Sequence, residues 1–392
     1  MSANQETRLK TENFDWDKKQ VLKTFKAAAN LFVKDVGGEV QLWAASRDWF
    51  MHEYGRDTFV SLPGLLLTQG KFKEAKQVFQ RFAKLQKKGL IPNTIQNGAA
   101  EYNSADASMW FINAMRKYLE YTNDSKFVKE MMPAMKKIME AYGKGTAYKR
   151  FGKRLNIWMD DDGLIASPAQ ATWMDADCFG KIDPITPRNG KAVEINVLWY
   201  DNLKFLSKFD NDYVYLAENV KKSFNKKFWN RSENALHDVI GGDLHGRAVR
   251  PNMIFAVRSD LLSKMRQKQV VKKVESELLT PGGLRTLSHK DSQYVGTYDT
   301  SMPSEEKDNA YHQGTVWPWL IGGYCDALAK VGREKEIKKV ITPLTRFCLE
   351  SPYKSLPEVF SGDSPYEPGG TTSQAWSVAE VLRILVEHKL IE

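Results

Sequence analysis

Cysteine is scarce in this chain: three in 392 residues, at Cys178, Cys325 and Cys348. An odd count at such long spacings matches neither a disulfide framework nor a zinc site. No run of about 18 apolar residues occurs, which excludes a helix crossing a membrane. The N-terminal stretch MSANQETRLKTENFDWDKK is polar and lacks the apolar segment of a secretory signal. Together these absences make a reducing cytoplasm the expected location. Low-complexity tracts and Ser-, Pro- or Gly-rich linkers are missing as well. The expectation is one domain over residues 1–392, led by a polar segment of about 15 residues. Strand-type alternation of apolar and polar residues is rare.

What the chain does have is helical periodicity. In YVYLAENVKKSFNKKFW, Tyr213, Ala217, Val220, Phe224 and Phe228 recur at steps of three or four behind the capping candidates Asp210 and Asn211. Similar patterns predict helices at about 17–34, 57–68, 72–87, 104–121, 125–142, 192–209, 250–258, 261–279, 312–330, 333–349 and 372–388. With 213–229 this makes twelve, and the fold class is all-α. Short links such as Gln69-Gly70 and Thr122-Asn123-Asp124 alternate with long connections near 88–103, 143–190, 230–249, 280–311 and 350–371. If the helical hairpins close into a ring, that alternation gathers the long loops at one end, where sites are usually built. A net charge of +9 raises the question of an anionic partner. Yet the lysines are spread as pairs, such as Lys221-Lys222 and Lys272-Lys273, inside helical patterns. They read as solvated helix faces, and neither nucleic acid nor membrane is expected as a partner.

The long loops carry carboxylates, amides and aromatics. Arg56 and Asp57 lie in EYGRDTF, Asn103 and Asp106 in EYNSADASMW, and Trp173, Asp175, Asp177, Asp183, Arg188 and Glu194 in ATWMDADCFGKIDPITPRNGKAVEINVLWY (171–200). Tyr311, His312, Gln313 and Trp317 lie in AYHQGTVWPW, Glu358 in SLPEVFSGDSPYEPGG, and Gln374 and Trp376 follow. Aromatic faces stack on the C–H faces of pyranose rings, while carboxylates, Arg and amides bind hydroxyls and supply acid and base. Singly, each has a plainer reading. Arg56-Asp57 is also an N-cap with a charge pair, Asn103 and Asp106 are also helix caps, and His312 and the tryptophans Trp173, Trp317 and Trp319 are also core residues. Asp160-Asp161-Asp162-Gly163 reads as a turn, because it lacks the spaced ligands of a calcium loop. Co-occurrence on the loops is what points to a sugar site.

Several segments then resemble a known family: WFMHEYGRDTFVSLPGLLL (49–67), YNSADASMWF (102–111), TWMDA (172–176), TPRNGKAVEINVLWY (186–200), GLRTLS (283–288), AYHQGTVWPWLIG (310–322), PEVFSGD (357–363) and QAWSVAEVLR (374–383). In order, over roughly 45–388, the chain resembles the catalytic domain of the glycogen debranching enzyme family, the amylo-alpha-1,6-glucosidase. The resemblance implies an (α/α)6 barrel and hydrolysis of α-1,6-linked glucose at branch points of glycogen or branched malto-oligosaccharides, with inversion. Inversion needs one protonated carboxyl and one carboxylate, about 6.5–9.5 Å apart. By the family pattern, Asp175 in TWMDA matches the general acid and Glu358 in LPEVF the general base. The residues agree in part. Asp175 follows Trp173 and Met174, an apolar setting that would raise a carboxyl pKa, and Glu358 follows Pro357 in a long loop. Arg188 and Glu194 are expected sugar-hydroxyl contacts, Arg56 and Asp57 a grip on the terminal glucose, and 311–317 a pocket lining. Asp177 and Asp183 remain rival acids; Glu194, inside a helical pattern, suits orientation of substrate or of Arg188. This chemistry requires neither metal nor organic cofactor.

The chain departs from the family's usual form. About 48 residues precede the first motif and no glucanotransferase half is expected, so short branched oligosaccharides or stubs left by another enzyme become candidate substrates. Residues 291–308 are expected to reshape the pocket mouth. Two other readings stand beside this one. Another α-glucoside hydrolase or a phosphorylase could use the same barrel, although a phosphorylase needs no carboxylate base for water, which Glu358 would supply. A non-catalytic glycan-binding protein is disfavoured by the retention of both carboxylates.

Overall fold

The computed structural model describes residues 9–10, 12, 14–150, 153–176, 184–242 and 248–391. Among them lie thirteen α-helices: α1 (Lys18–Asn30), α2 (Gly55–Leu65), α3 (Phe72–Leu85), α4 (Ala107–Thr122), α5 (Ser125–Lys144), α6 (Val193–Leu206), α7 (Asp212–Lys227), α8 (Phe255–Arg258), α9 (Lys264–Glu277), α10 (Ser304–Tyr311), α11 (Leu320–Lys330), α12 (Ile337–Glu350) and α13 (Ala375–Glu387). None is long and apolar enough to cross a membrane.

Two kinds of helix are present, and the sequence pattern of each says where it belongs. Every residue of α2 is buried, as is all of α13 from Ala375 to Leu385. By contrast α7 buries only Ala217, Val220 and Phe224 of its sixteen residues, one stripe of the predicted pattern. A helix buried on all sides belongs to the inner layer even where it carries charges such as Arg56 and Glu380, whereas one with a single apolar stripe packs as an outer layer. The packing follows. Helix α2 contacts α4, α4 contacts α6, α6 contacts α8, α8 contacts α11, α11 contacts α13, and α13 returns to α2. Outside this ring α1 lies on α13 and α12, α3 on α4 and α5, α7 on α6, α9 on α8 and α11, and α12 on α11. One continuous apolar core runs from Trp16 to Ile391. The tightest approach is between α2 and α13, where a Cβ on Gly64 would sit 1.9 Å from the Ala379 carbonyl oxygen, so only glycine fits.

The connections from each outer helix to the next ring helix are the long ones. They carry seventeen short strands in six small sheets among the described residues. Most are two or three residues long, too short for a period of two to register in the sequence. A five-stranded antiparallel sheet joins Leu279–Thr280, Gly283–Arg285, Val316–Trp317, Val359–Phe360 and Pro368–Gly369, tying the loop before α11 to the loop before α13. The predicted helix at 312–330 begins only at Leu320, because Val316–Trp317 pair with this sheet and Pro318 follows. Helix α10 falls inside the expected 280–311 connection and went unpredicted: in SEEKDNAY only Ala310 is buried, so no apolar stripe marks it. At α7 the cap differs in detail. Asn211 makes no side-chain cap bond, while Asp210 Oδ1 accepts from the Asp212 N–H.

Candidate active site

Arg56 and Asp57 enter at the first turn of α2, where both are buried. Arg56 Nε donates to Asp106 Oδ2 at 2.7 Å and Nη1 to Asp175 Oδ2 at 3.2 Å, while Nη2 has no protein partner. Asp106 precedes α4 but does not cap it. Ser104 Oγ accepts from the Asp106 and Ala107 N–H groups, which leaves the Asp106 carboxylate for the guanidinium. Asp57 Oδ1 accepts from Gln374 Nε2 at 3.3 Å, which brings the start of α2 against the start of α13. Burial pushes the Asp57 carboxyl up to about 7; Arg56 opposes this, while Glu358, Asp175 and Asp106 add to it.

Glu358 is 3% exposed and sits one residue before the strand Val359–Phe360. The Tyr311 hydroxyl donates to its Oε1, and the Thr371 N–H donates to Oε2 at 3.1 Å. Burial pushes its carboxyl up to about 7 although both hydrogen bonds hold it down. Gly370, at φ +67°, passes so close that a Cβ there would lie 2.2 Å from Glu358 Oε2. Only glycine combines that dihedral with that clearance. Asp175 has a different setting, with a side chain 34% exposed against the edge of Arg56. The apolar wall expected from Trp173 and Met174 is only partly there, since both residues turn into the core. Trp173 donates from Nε1 to Asn252 Oδ1 at 2.7 Å.

Two tyrosines show that these groups converge. The Tyr54 hydroxyl is pushed up by burial and by Asp57, Asp175 and Glu358 together, with Arg56 opposing. Tyr311 is pushed far up by burial, then by Glu358, and feels Asp175 as well. Tyr54 belongs to EYGRDTF but was not singled out, because a tyrosine before a glycine carries no site signal of its own. Tyr298, also missed, stacks on Tyr311 with centroids 6.0 Å apart and is raised by burial and Glu358. It lies in the 291–308 segment, which therefore does reach the site.

Other expected contacts have different surroundings. Arg188 and Glu194 do not offer free groups to a sugar, which corrects the expectation for Arg188. Its Nη1 donates to Thr172 Oγ1 and Glu194 Oε1, Nη2 to Glu194 Oε2 and Asp238, and Nε to Asp238 Oδ2 at 2.7 Å. All five N–H groups are thereby engaged, and both Arg188 and Glu194 are buried. Their pair fixes the start of α6 beneath the Asp175 loop. Gln313 Oε1 accepts from buried Arg250, so it holds the loop floor. His312 is buried, and its pKa is pushed well below the usual value by burial and three nearby arginines, so the ring is neutral. Its Nδ1 faces the Ala176 N–H at 3.4 Å, and its Nε2 has no partner.

Trp317 donates to the Tyr311 carbonyl, and Trp376 stacks on Trp319 at 5.0 Å, so the tryptophans form the wall behind the site rather than an open face. Asn103 Oδ1 is buried without a protein partner, as is Trp376 Nε1. Asp177 and Asp183, the rival acids, lie outside the described residues. Asp160–Gly163 is a turn, with Asp162 paired to Lys191 and Lys227.

A separate cleft of about 740 Å³ lies on the outer flank near Lys88, Lys137, Lys144 and Trp158. Its single carboxylate, Glu140, is paired with Lys144, so it lacks two groups for acid–base work.

Solved structures with this architecture include glycosidases. A rhamnosidase from Klebsiella oxytoca with rhamnose bound matches 98% of this chain and 65% of its own, at TM-score 0.62 and 13% identity. A protein described as a wild-type glycosidase matches 96% of this chain and all of its own, at TM-score 0.65 and 12% identity. At such identities the likeness is one of fold. The fold, with carboxylates on its long loops, is one that glycosidases use. The family described as amylo-alpha-1,6-glucosidase matches residues 26–383, and the chain belongs to it. The glycogen debranching enzyme of Saccharomyces cerevisiae is 26% identical over 86% of this chain. The chain spans 29% of that relative's length.

Proposed function

We propose that this chain is an exo-acting α-1,6-glucosidase that removes the glucose at a branch point with inversion, in a single (α/α)6 barrel domain and in the cytoplasm. The closed order of ring helices is what supports the barrel. For the chemistry, the observation that carries the reading is the convergence of Asp175 and Glu358 from two different loops on one set of groups, Tyr54, Tyr311 and the Arg56-Asp57 pair. In this reading Asp175 gives a proton to the leaving glycosidic oxygen while Glu358 takes one from the water attacking the opposite face of the anomeric carbon. A base held near 7 is poised for proton transfer at neutral pH. Arg56 Nη2 and Asn103 Oδ1, both without protein partners, are suited to sugar hydroxyls.

A second assignment exchanges the roles. Buried Glu358 retains a proton more readily than a surface carboxyl, whereas Asp175 is partly exposed at the edge of the Arg56 guanidinium. Leaving-group dependence separates the two. Glucosyl fluoride needs no acid to expel its leaving group, so with Asp175 as acid, Asp175→Asn keeps hydrolysing the fluoride while Glu358→Gln loses it. The reverse outcome exchanges the roles. On a singly α-1,6-branched malto-oligosaccharide, either variant should lose several orders of magnitude in turnover. NMR of the first sugar released by the unmodified protein should show β-glucose. α-Glucose first, or no glucose from the branched substrate, would overturn the proposal.

A further inference from the structure

At the opposite end of the ring, where α4, α6, α8 and α11 finish, a second cavity of about 370 Å³ opens. Helices of this length separate the two ends by roughly 20 Å. Six cations line this cavity: Arg116, Lys117, Lys204, Lys208, Arg258 and Lys330. Three acids share the lining, and each is already engaged. Asp326 receives both terminal nitrogens of Arg383 at 3.0 and 3.1 Å, Asp260 pairs with Lys330 at 3.1 Å, and Asp201 accepts from the Ser259 hydroxyl at 2.6 Å. Arg116 and Lys117 are satisfied by Glu120 and Glu387 at the rim.

Three cations are left with little. Lys204 comes no nearer than 3.9 Å to a carboxylate, at Glu218. The Lys208 ammonium has no hydrogen-bond or ion-pair partner among the described residues, only its backbone N–H being bonded, to the Phe205 carbonyl. The third is Arg258, whose side chain is 15% exposed. Its Nε and Nη2 are buried without an acceptor, and Nη1 stands 3.9 Å from Asp326, beyond hydrogen-bond reach. Its guanidinium lies over the rings of Trp110 and Phe255, with centroids 5.8 and 5.6 Å away. Burial pushes its pKa down, as do Arg116 and Arg383, against the pull of Asp201 and Asp326. Lysines near helix carboxyl ends complement the helix dipoles. That does not account for Arg258, which bonds to no carbonyl. A buried guanidinium with its donors unused is costly unless something accepts from it.

We propose that this cavity binds a phosphate-type anion, either free or carried by a small sugar. Its volume is within the range of cavities that hold small organic ligands, larger than a bare ion requires. Planar guanidinium donors with flanking lysines are the chemistry that recognises phosphate oxygens. Because Arg258 lies over Trp110, occupancy should alter tryptophan fluorescence.

The test titrates the full chain with inorganic phosphate, and separately with glucose 6-phosphate, at ionic strength held constant with sodium chloride. Fluorescence and calorimetry are both read. One saturable site per chain is expected, weakened about tenfold or more in the Lys204→Ala, Lys208→Ala double variant and in Arg258→Lys. The double variant should hydrolyse substrate normally, which guards against misfolding. Tighter binding of glucose 6-phosphate would identify a sugar-borne anion, and equal binding a free one. The proposal is overturned by a response that chloride alone reproduces, by unchanged affinity in both variants, or by displacement with glucose, which would place the anion in the sugar pocket.

Discussion

Tyr311 supports Glu358 by a single hydroxyl, and the sign of its effect can be worked out. Its hydrogen bond favours the charged carboxylate and so lowers the Glu358 pKa, which burial has raised to about 7. Removing the hydroxyl in Tyr311→Phe should move the acid limb of the kcat/KM profile to higher pH, leaving activity at pH 9 much closer to that of the unmodified chain than activity at pH 6. An unshifted profile would mean that Glu358 does not control that limb. The carboxyls and their loops were legible at this scale, because acids beside tryptophans in turn-rich segments are not what packing asks for. The surroundings of Arg188 were not. Its second carboxylate, Asp238, lies 50 residues further along the chain, and nothing local distinguishes a guanidinium that will be saturated by protein from one left for a ligand.

For the elements, the decisive contact is α2 against α13. Replacing Gly64 by Val forces a side chain into the Ala379 backbone, which neither helix can yield without moving. Over-packing of this kind costs about 1–3 kcal/mol or more, and Gly64→Val should lower the thermal midpoint by several degrees in calorimetry. A midpoint equal to the parent's would show that the helices part without cost. Outer helices were easy to find in the sequence because a one-sided stripe has a period of 3.6. Ring helices such as α13 were found by the same periodicity, although their burial on all sides, Glu380 and Arg383 included, was not visible in it. Helix α10, with one buried residue, and two-residue strands such as Val316–Trp317 offer no period to detect. They exist because the loops around them need backbone partners.

Across the whole molecule, the base role proposed for Glu358 and the stability of the fold pull in opposite directions. In the folded chain its carboxyl binds a proton up to about pH 7, against 4.5 for an ordinary glutamate. Between those values the folded state holds more protons than the unfolded state, so its contribution to stability falls as pH rises through this window and stays lost above it. The magnitude is on the order of 3 kcal/mol. Glu358→Gln, with no charge to bury, should therefore unfold at a higher temperature than the unmodified chain at pH 8, with no advantage at pH 4. Equal midpoints at both pH values would refute the buried-charge account.

The returning contact of the ring also fixes a timetable. Residues 44–48 are held by residues 372–375, through the Ala45–Gln374 bridge, Ser46 on Ser373 and Asp48 on Thr372. Gln374 then reaches Asp57 at the head of α2. A chain extended only as far as residue 350 holds Arg56, Asp57 and Asp175 but neither Glu358 nor the segment that pins the opening loop. Such a chain is a horseshoe rather than a ring: its opening loop has nothing to hold it, and the hairpin of α12 and α13 closes the fold and the site in one step.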